Sequence, residues 1–145
     1  MYNIRLTRES DLQSILELVH EFHEESLKEY ELVCNNKIAD ALMPKLVDTS
    51  MVMTYNEEIV GVIAGFVTNH IVDNEKLFQE VIWYVTKEHR HHGVDLLEEM
   101  ESHCKLIGIK HIVMVNMGNL RDKVFKRFYE SQGYKLLETQ YIKKL

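Results

Sequence analysis

The chain has 145 residues, 46% of them hydrophobic and 28% charged, with a single proline. That is enough for one folded domain over residues 1–145, without linker or low-complexity segments. The formal net charge of −6 argues against a general nucleic-acid-binding surface, which has to be cationic to displace counterions.

In chain order, MYNIRLTRESD contains no apolar run, so neither a leader nor a membrane anchor is expected. YNIRL alternates as a short strand. Ser10 and Gln13 form an S-x-x-Q capping box ahead of a helix whose apolar face is Leu12, Ile15, Leu16, Val19 and Phe22. Eight acids and one lysine lie between Glu9 and Glu31. A second helix is predicted over Lys37 to Leu42, ending near Pro44. MVMTYN and EIVGVIAGFVT read as two strands of a hairpin.

After the polar loop NHIVDNEK comes a strand, LFQEVIWYV. Period-two alternation puts Glu80, Ile82 and Tyr84 on one face, with Val81, Trp83 and Val85 on the other. A helix with Leu96, Leu97, Met100, Cys104 and Ile107 on one side follows, capped by Gly108. HIVMVN is another strand. Asn119 or Asp122 caps a last helix with Leu120, Val124, Phe125 and Phe128 as its stripe, and Gly133 ends it. YKLLETQYIKKL is predicted as a closing strand. Seven Lys or Arg face three acids between Arg121 and Leu145. An acidic end suits a cationic acceptor and a basic end an anionic cofactor, although both also suit plain solvated helix faces. The order β-α-α-β-β-β-α-β-α-β describes an α/β (α+β) mixed sheet covered by helices.

The stretch KEHRHHGVDLLEEMESHC (87–104) lies between a strand and a helix. The first turn of such a helix offers unpaired backbone N–H groups and the positive end of the dipole, which together form an anion site. Gly93 permits a backbone geometry or close approach that a side chain would hinder. His89, His91 and His92 are neighbours on a loop and are expected to be solvated rather than to converge on a metal. Cys34 and Cys104 lack metal-ligand spacing and are expected to be reduced thiols of a cytoplasmic protein. Cys104 and His103 point apart on their helix and make no nucleophilic pair.

These segments resemble the GNAT superfamily of acyl-CoA-dependent N-acetyltransferases. The family's [Q/R]-x-x-G-x-[G/A] signature reads here Arg90-His91-His92-Gly93-Val94-Asp95. Its tyrosine followed by G-[FY] reads Tyr129-Glu130-Ser131-Gln132-Gly133-Tyr134, and IRLTRESDLQSIL is similar to its opening strand and helix. The ending ETQYIKKL is similar to small members from phage genomes, which would place the protein in a host cytoplasm.

The resemblance implies a sheet of six to seven strands with about four helices. It further implies that acetyl-CoA lays its pyrophosphate on the N–H groups of Arg90, His91, His92, Gly93, Val94 and Asp95, with pantetheine pairing near Val85. The fourth and fifth strands would splay around it, with Asn116 and the last helix as the opposite wall. Two positions depart from the family. Asp95 stands where Gly or Ala is usual. A carboxylate facing the pyrophosphate at 4 Å would repel it by roughly 1 kcal/mol in water, so Asp95 is expected to point away. Asp122 stands where Asn is frequent, with Asn116 or Asn119 available instead.

The implied reaction moves acetyl from acetyl-CoA to a primary amine by direct attack in a ternary complex, without metal. Tyr129 is the candidate acid for the departing thiolate, unless it merely packs beside Phe125 and Phe128. Glu80 is the candidate base. A buried glutamate without a partner is costly, so Glu80 is either functional or on an exposed edge, and a water relay could replace it. Glu21, Glu24 and Glu25 are candidate contacts for the amine acceptor or members of a solubilising face. A catalytically silent GNAT-like module that binds an acyl-CoA or a partner is the alternative, favoured by Asp95 and Asp122. No nucleic-acid or membrane partner is expected. A homodimer is, because a short closing strand leaves an edge open.

Overall fold

The computed structural model describes residues 1–32, 36–117 and 122–145. Cys34, Asn119, Leu120 and Arg121 lie outside the described residues. The elements are β1 (Tyr2–Leu6), α1 (Leu12–Ser26), α2 (Asn36–Leu46), β2 (Ser50–Tyr55), β3 (Glu58–Asn69), β4 (Lys76–Val85), α3 (Gly93–Leu106), β5 (His111–Val113) and α4 (Asp122–Ser131). They form a mixed five-stranded sheet in the order β1-β2-β3-β4-β5, antiparallel except for the parallel β4–β5 pair. The predicted hairpin is present. Its two connecting residues, Asn56 and Glu57, have φ of 48° and 73°, the left-handed pair whose twist matches the flanking strands.

Each face of the sheet carries its own core. Ile15 and Leu18 of α1 and Met43 and Leu46 of α2 pack on Val52, Val62, Ala64 and Ile82. Leu96, Leu97 and Met100 of α3 and Tyr129 of α4 pack on Met51, Met53, Ile63, Phe78 and Val85. The apolar periodicity of α1 and α3 thus becomes two helical layers around one sheet.

Several details differ from the sequence reading. The Ser10–Gln13 capping box does not form. A short 3-10 turn, Glu9–Asp11, leads into α1, and the Asp11 carboxylate accepts the Arg8 N–H at 2.8 Å and a forked pair from Arg5 at 2.7 and 2.9 Å. A buried carboxylate held by a guanidinium fork satisfies more donors than a serine hydroxyl could. Helix α2 runs past Pro44 to Leu46, a residue that it buries. Ile107 is the C-cap of α3 and is exposed, as is Val124 on α4. Gly108 and Gly133 have φ of 84° and 88° and end their helices in the left-handed conformation. Strand β5 stops at Val113 rather than Asn116, and YKLLETQYIKKL forms no strand. That segment reads K-L-L-E-T-Q-Y-I-K-K. Apolar pairs alternate poorly, so no single face can be buried on the sheet.

The most consequential difference is in β4. The register runs Ala64↔Ile82 and then Gly65↔Glu80, so Val81 is an extra residue facing no partner. This bulge reverses the alternation. Phe78 lies in the α3/α4 core, while Ile82 and Tyr84 lie in the α1/α2 core. Glu80 therefore shares the face of Phe78 and Trp83, not that of Ile82 and Tyr84. Gly65 makes the bulge fit. A Cβ there would stand 2.2 Å from the Gln79 carbonyl oxygen and 2.7 Å from the Phe78 ring.

Candidate functional site

The β4–β5 ladder pairs only Leu77–Gln79 with His111–Val113. From Glu80 to Val85 that edge of β4 has no strand beside it among the described residues. The two strands separate at the residue where the bulge turns Glu80 toward α4. This opening is the splay that the family resemblance implies.

Glu80 is 7% exposed, and its Oε2 has no hydrogen-bond partner. The exposed-edge alternative for this residue is thereby removed. Burial pushes its carboxyl up to about 8, with a backbone hydrogen bond from Val115 acting in the opposite direction. Tyr129 of α4 lies close by. Its hydroxyl donates to the Val115 carbonyl at 3.0 Å. Burial, and after it the charges of Glu80 and Tyr134, raise its pKa well above the usual phenol value, so the phenol keeps its proton. Tyr129 does pack beside Phe125 and Phe128, at ring distances of 6.3 and 5.5 Å. The packing role and proximity to Glu80 coexist.

Trp83 is a site residue that the sequence reading left without a role. Its ring lies against Phe125, Phe128 and Tyr129, and its Nε1 donates to the Gly93 carbonyl at 3.2 Å. It joins β4 to the start of α3 and to α4. Its place on the face of Val85 was readable from alternation, but not its link to Gly93.

Asn116 donates its Nδ2 to the Asp122 backbone carbonyl at 3.1 Å and to the Asp122 carboxylate at 2.9 Å. Asp122, the second departure from the family pattern, thus anchors Asn116 to the start of α4. The Oδ1 of Asn116 is buried without a partner.

The segment before α3 differs from an open loop. Residues Lys87–His92 form a 3-10 turn continuous with α3. The His89 N–H is bonded to Thr86 O at 2.9 Å, and the Gly93 N–H to Arg90 O. Part of the expected donor set is used internally. Gly93 adopts ordinary right-handed helical angles, φ −59° and ψ −33°. A Cβ there would meet Trp83 and Val85 at 3.7 Å, normal contact. Its backbone angles and its packing against the protein's own atoms therefore do not require glycine. Val94 is half-buried.

The Asp95 carboxylate accepts from His92 Nδ1 at 2.7 Å and is exposed. Nor are the histidines simply solvated. His92 stacks on Tyr2 at 3.9 Å, His91 on His92 at 4.3 Å and His89 on Tyr55 at 4.9 Å, and His89 shares a 2.7 Å hydrogen bond with Tyr2. The reason is topological. The starts of β1 and β3 and the ends of β2 and β4 lie at the same end of the sheet's strands, which places both tyrosines beside this turn. No group of three or more His, Cys, Asp or Glu among the described residues is arranged to hold a metal ion.

Arg90 turns away from α3. Its Nε donates to the Val85 carbonyl at 3.1 Å, and one terminal nitrogen donates to Glu25 Oε2 at 2.6 Å. Tyr84 donates to the same carboxylate group at 2.8 Å and lies 3.1 Å from Glu21. Glu21 and Glu25 line a cleft of about 410 Å³ together with Glu58, Tyr84, Lys87 and Glu88. Glu24 does not join them. It pairs with Lys28 at 2.7 Å on the exposed face of α1.

Comparison with known proteins agrees with this architecture. The profile of the Acetyltransferase (GNAT) family matches residues 12–134. No curated protein sequence matches the chain significantly. A transcriptional regulator from Bacillus halodurans C-125 superposes with a TM-score of 0.78 at 17% identity, over 100% of both chains. A ribosomal-protein-alanine N-acetyltransferase from Brucella melitensis biovar Abortus 2308 gives 0.76 at 15% identity, over 99% of both. Glucosamine-6-phosphate N-acetyltransferase from Arabidopsis thaliana gives 0.73 at 16% identity, over 99% of this chain and 98% of that one. Likeness at these identities is one of fold. The three names describe different roles, and no acceptor follows from them.

Proposed function

We propose that this chain, which belongs to the acetyltransferase (GNAT) family, moves an acetyl group from acetyl-CoA to a primary amine of a small molecule or protein by direct attack in a ternary complex. The observation that carries the reading is the buried Glu80, with an unpartnered oxygen, beside Tyr129 where β4 and β5 part. Acetyl-CoA supplies an activated thioester. The residues present suit it. The free edge of β4 up to Val85 offers backbone partners for an amide-bearing arm. The unpartnered Asn116 Oδ1 can accept an N–H from the other side. Backbone N–H groups between Arg90 and Asp95 would hold the pyrophosphate, with Asp95 kept on His92.

Glu80 in its ionised form would take the proton of the attacking amine, and Tyr129 would give its own to the departing thiolate. Cys104 is buried in α3 with its thiol pushed up to about 11 by burial and then by Glu101, which makes it unsuited to carry an acyl group and favours direct attack. Glu21 and Glu25, in the acidic cleft, are the better acceptor contacts. Glu24 on its exposed pair is a weaker one.

Acetyl-CoA at 100 times its dissociation constant should stabilise the fold by roughly 2.7 kcal/mol. No melting shift at millimolar acetyl-CoA or CoA would remove the proposal. Tyr129→Phe should lower thiol release with an amine panel by about a hundredfold while CoA binding persists. Unchanged turnover would withdraw the acid role. A second reading, a silent acyl-CoA-binding module, is favoured by the two departures from the family pattern, Asp95 and Asp122. A melting shift without turnover of any amine would identify it.

We also propose a homodimer. The outer edge of β5 has no strand partner among the described residues, and Leu136, Leu137, Tyr141 and Ile142 beyond α4 are exposed. Sedimentation at micromolar concentration should give twice the monomer mass, and a monomer would reject it. No helix among the described residues is long and apolar enough to cross a membrane.

A further inference from the structure

Arg90 is the arginine of the turn that leads into α3, yet its guanidinium is held by the end of β4 and by α1. Its Nε is held by Val85 O, its terminal nitrogen by Glu25 Oε2, and its Cζ lies 5.6 Å from the centre of the Tyr84 ring. The Tyr84 hydroxyl stands 3.4 Å from the same terminal nitrogen and occupies the other Glu25 oxygen, Oε1. Glu25 is on the last turn of α1, separated by 65 residues from Arg90, so this contact joins two elements far apart in the chain.

The pair is also weakly held. Both side chains are near two-fifths exposed, at 40% and 42%, and an exposed ion pair contributes little net stability. A phosphate group offers a guanidinium bidentate bonds and more than one negative charge, a better partner than a single carboxylate oxygen. Arg90 cannot serve Glu25 and a phosphate in full at once.

We propose that Glu25 is a latch that competes with the CoA pyrophosphate for Arg90, holding the guanidinium on α1 until a diphosphate draws it away. This rests on the reading above that the turn at Arg90–Asp95 receives a CoA ester. Glu25 is then a positioning residue acting through Arg90, and its presence lowers affinity for the diphosphate part of the cofactor only. His92 and Asp95 form a similar pair nearby, but both belong to the turn and first helical turn themselves, and that contact links no second element.

Calorimetric titration of the full chain at low salt, with CoA and with pantetheine (the thiol arm without diphosphate), tests this. Glu25→Gln should bind CoA about fivefold more tightly than the unmodified chain and pantetheine equally well. Arg90→Gln should weaken CoA binding, and adding Glu25→Gln to it should change nothing further. Glu31→Gln, on the exposed Lys144 pair, should match the unmodified chain. If Glu25→Gln binds CoA equally or less well, or shifts pantetheine to the same extent, Glu25 is not a latch, although the site reading stands. If no variant binds CoA, both fall together.

Discussion

Replacing Glu80 by Gln is expected to lower turnover by about 10²–10⁴-fold, the usual range for removing a general base, while CoA binding and the fold persist. The substitution keeps the shape of a protonated glutamate, the form that the folded chain holds at neutral pH because burial raises the carboxyl to about 8. Only the ionised form can accept a proton. The rate of the unmodified enzyme should therefore rise with pH through an apparent value near 8, and Glu80→Gln should lose that limb.

Stability should move the other way. The ordinary value for a glutamate is 4.5. Below it, both folded and unfolded chains are protonated and the contribution is fully present. Between 4.5 and about 8 the unfolded chain ionises and the folded one does not, so stability falls as pH rises, by at most about 1.4 kcal/mol per unit from this group. Denaturation midpoints across pH 5 to 8 should thus decline in the unmodified chain and less so in Glu80→Gln. Equal slopes would mean that Glu80 is ionised in the fold. Equal turnover would pass the base role to a water relay.

Gly65→Ala is expected to be the most damaging single methyl group in the chain. The new Cβ would stand 2.2 Å from Gln79 O, 2.8 Å from Gln79 C and 2.7 Å from the ring of Phe78, which is itself 1% exposed. Neither a strand backbone nor a fully buried ring can yield that much. A cost of about 3 kcal/mol or more, near 10 °C in Tm, follows from overpacking at such a site. Because Gly65 pairs directly with Glu80, activity should fall with stability as the bulge is displaced. Gly93→Ala makes the contrast. Its Cβ would sit in normal contact within a right-handed turn, so its melting temperature should be unchanged or slightly higher. Reversed ranks in a thermal melt would overturn the account of both glycines.

Those two glycines show where sequence reading succeeds and where it stops. The signature around Gly93 was visible in the sequence, and so was the helix that it introduces. Gly65 carried no motif at all, because its necessity comes from a neighbouring strand. Glu80 was legible as a candidate base, but its face was not. Strict alternation placed it with Ile82 and Tyr84, and one unpaired residue, Val81, moved it to the side of Phe78 and Tyr129. The closing strand was inferred from apolar content alone and does not form.

The sequence by itself determined the element types and their order up to the last helix, since periods of 3.6 and 2 and the turn residues act over a few positions. It also carried the motifs at Arg90–Asp95 and Tyr129 that mark the family. Only the tertiary structure decided which side chains meet. The partnerships of Arg90 with Glu25, His92 with Tyr2 and Tyr129 with Glu80 span 65, 90 and 49 residues of chain. Such contacts depend on strand register, and a register can shift by one residue at a bulge without leaving any sign in local composition.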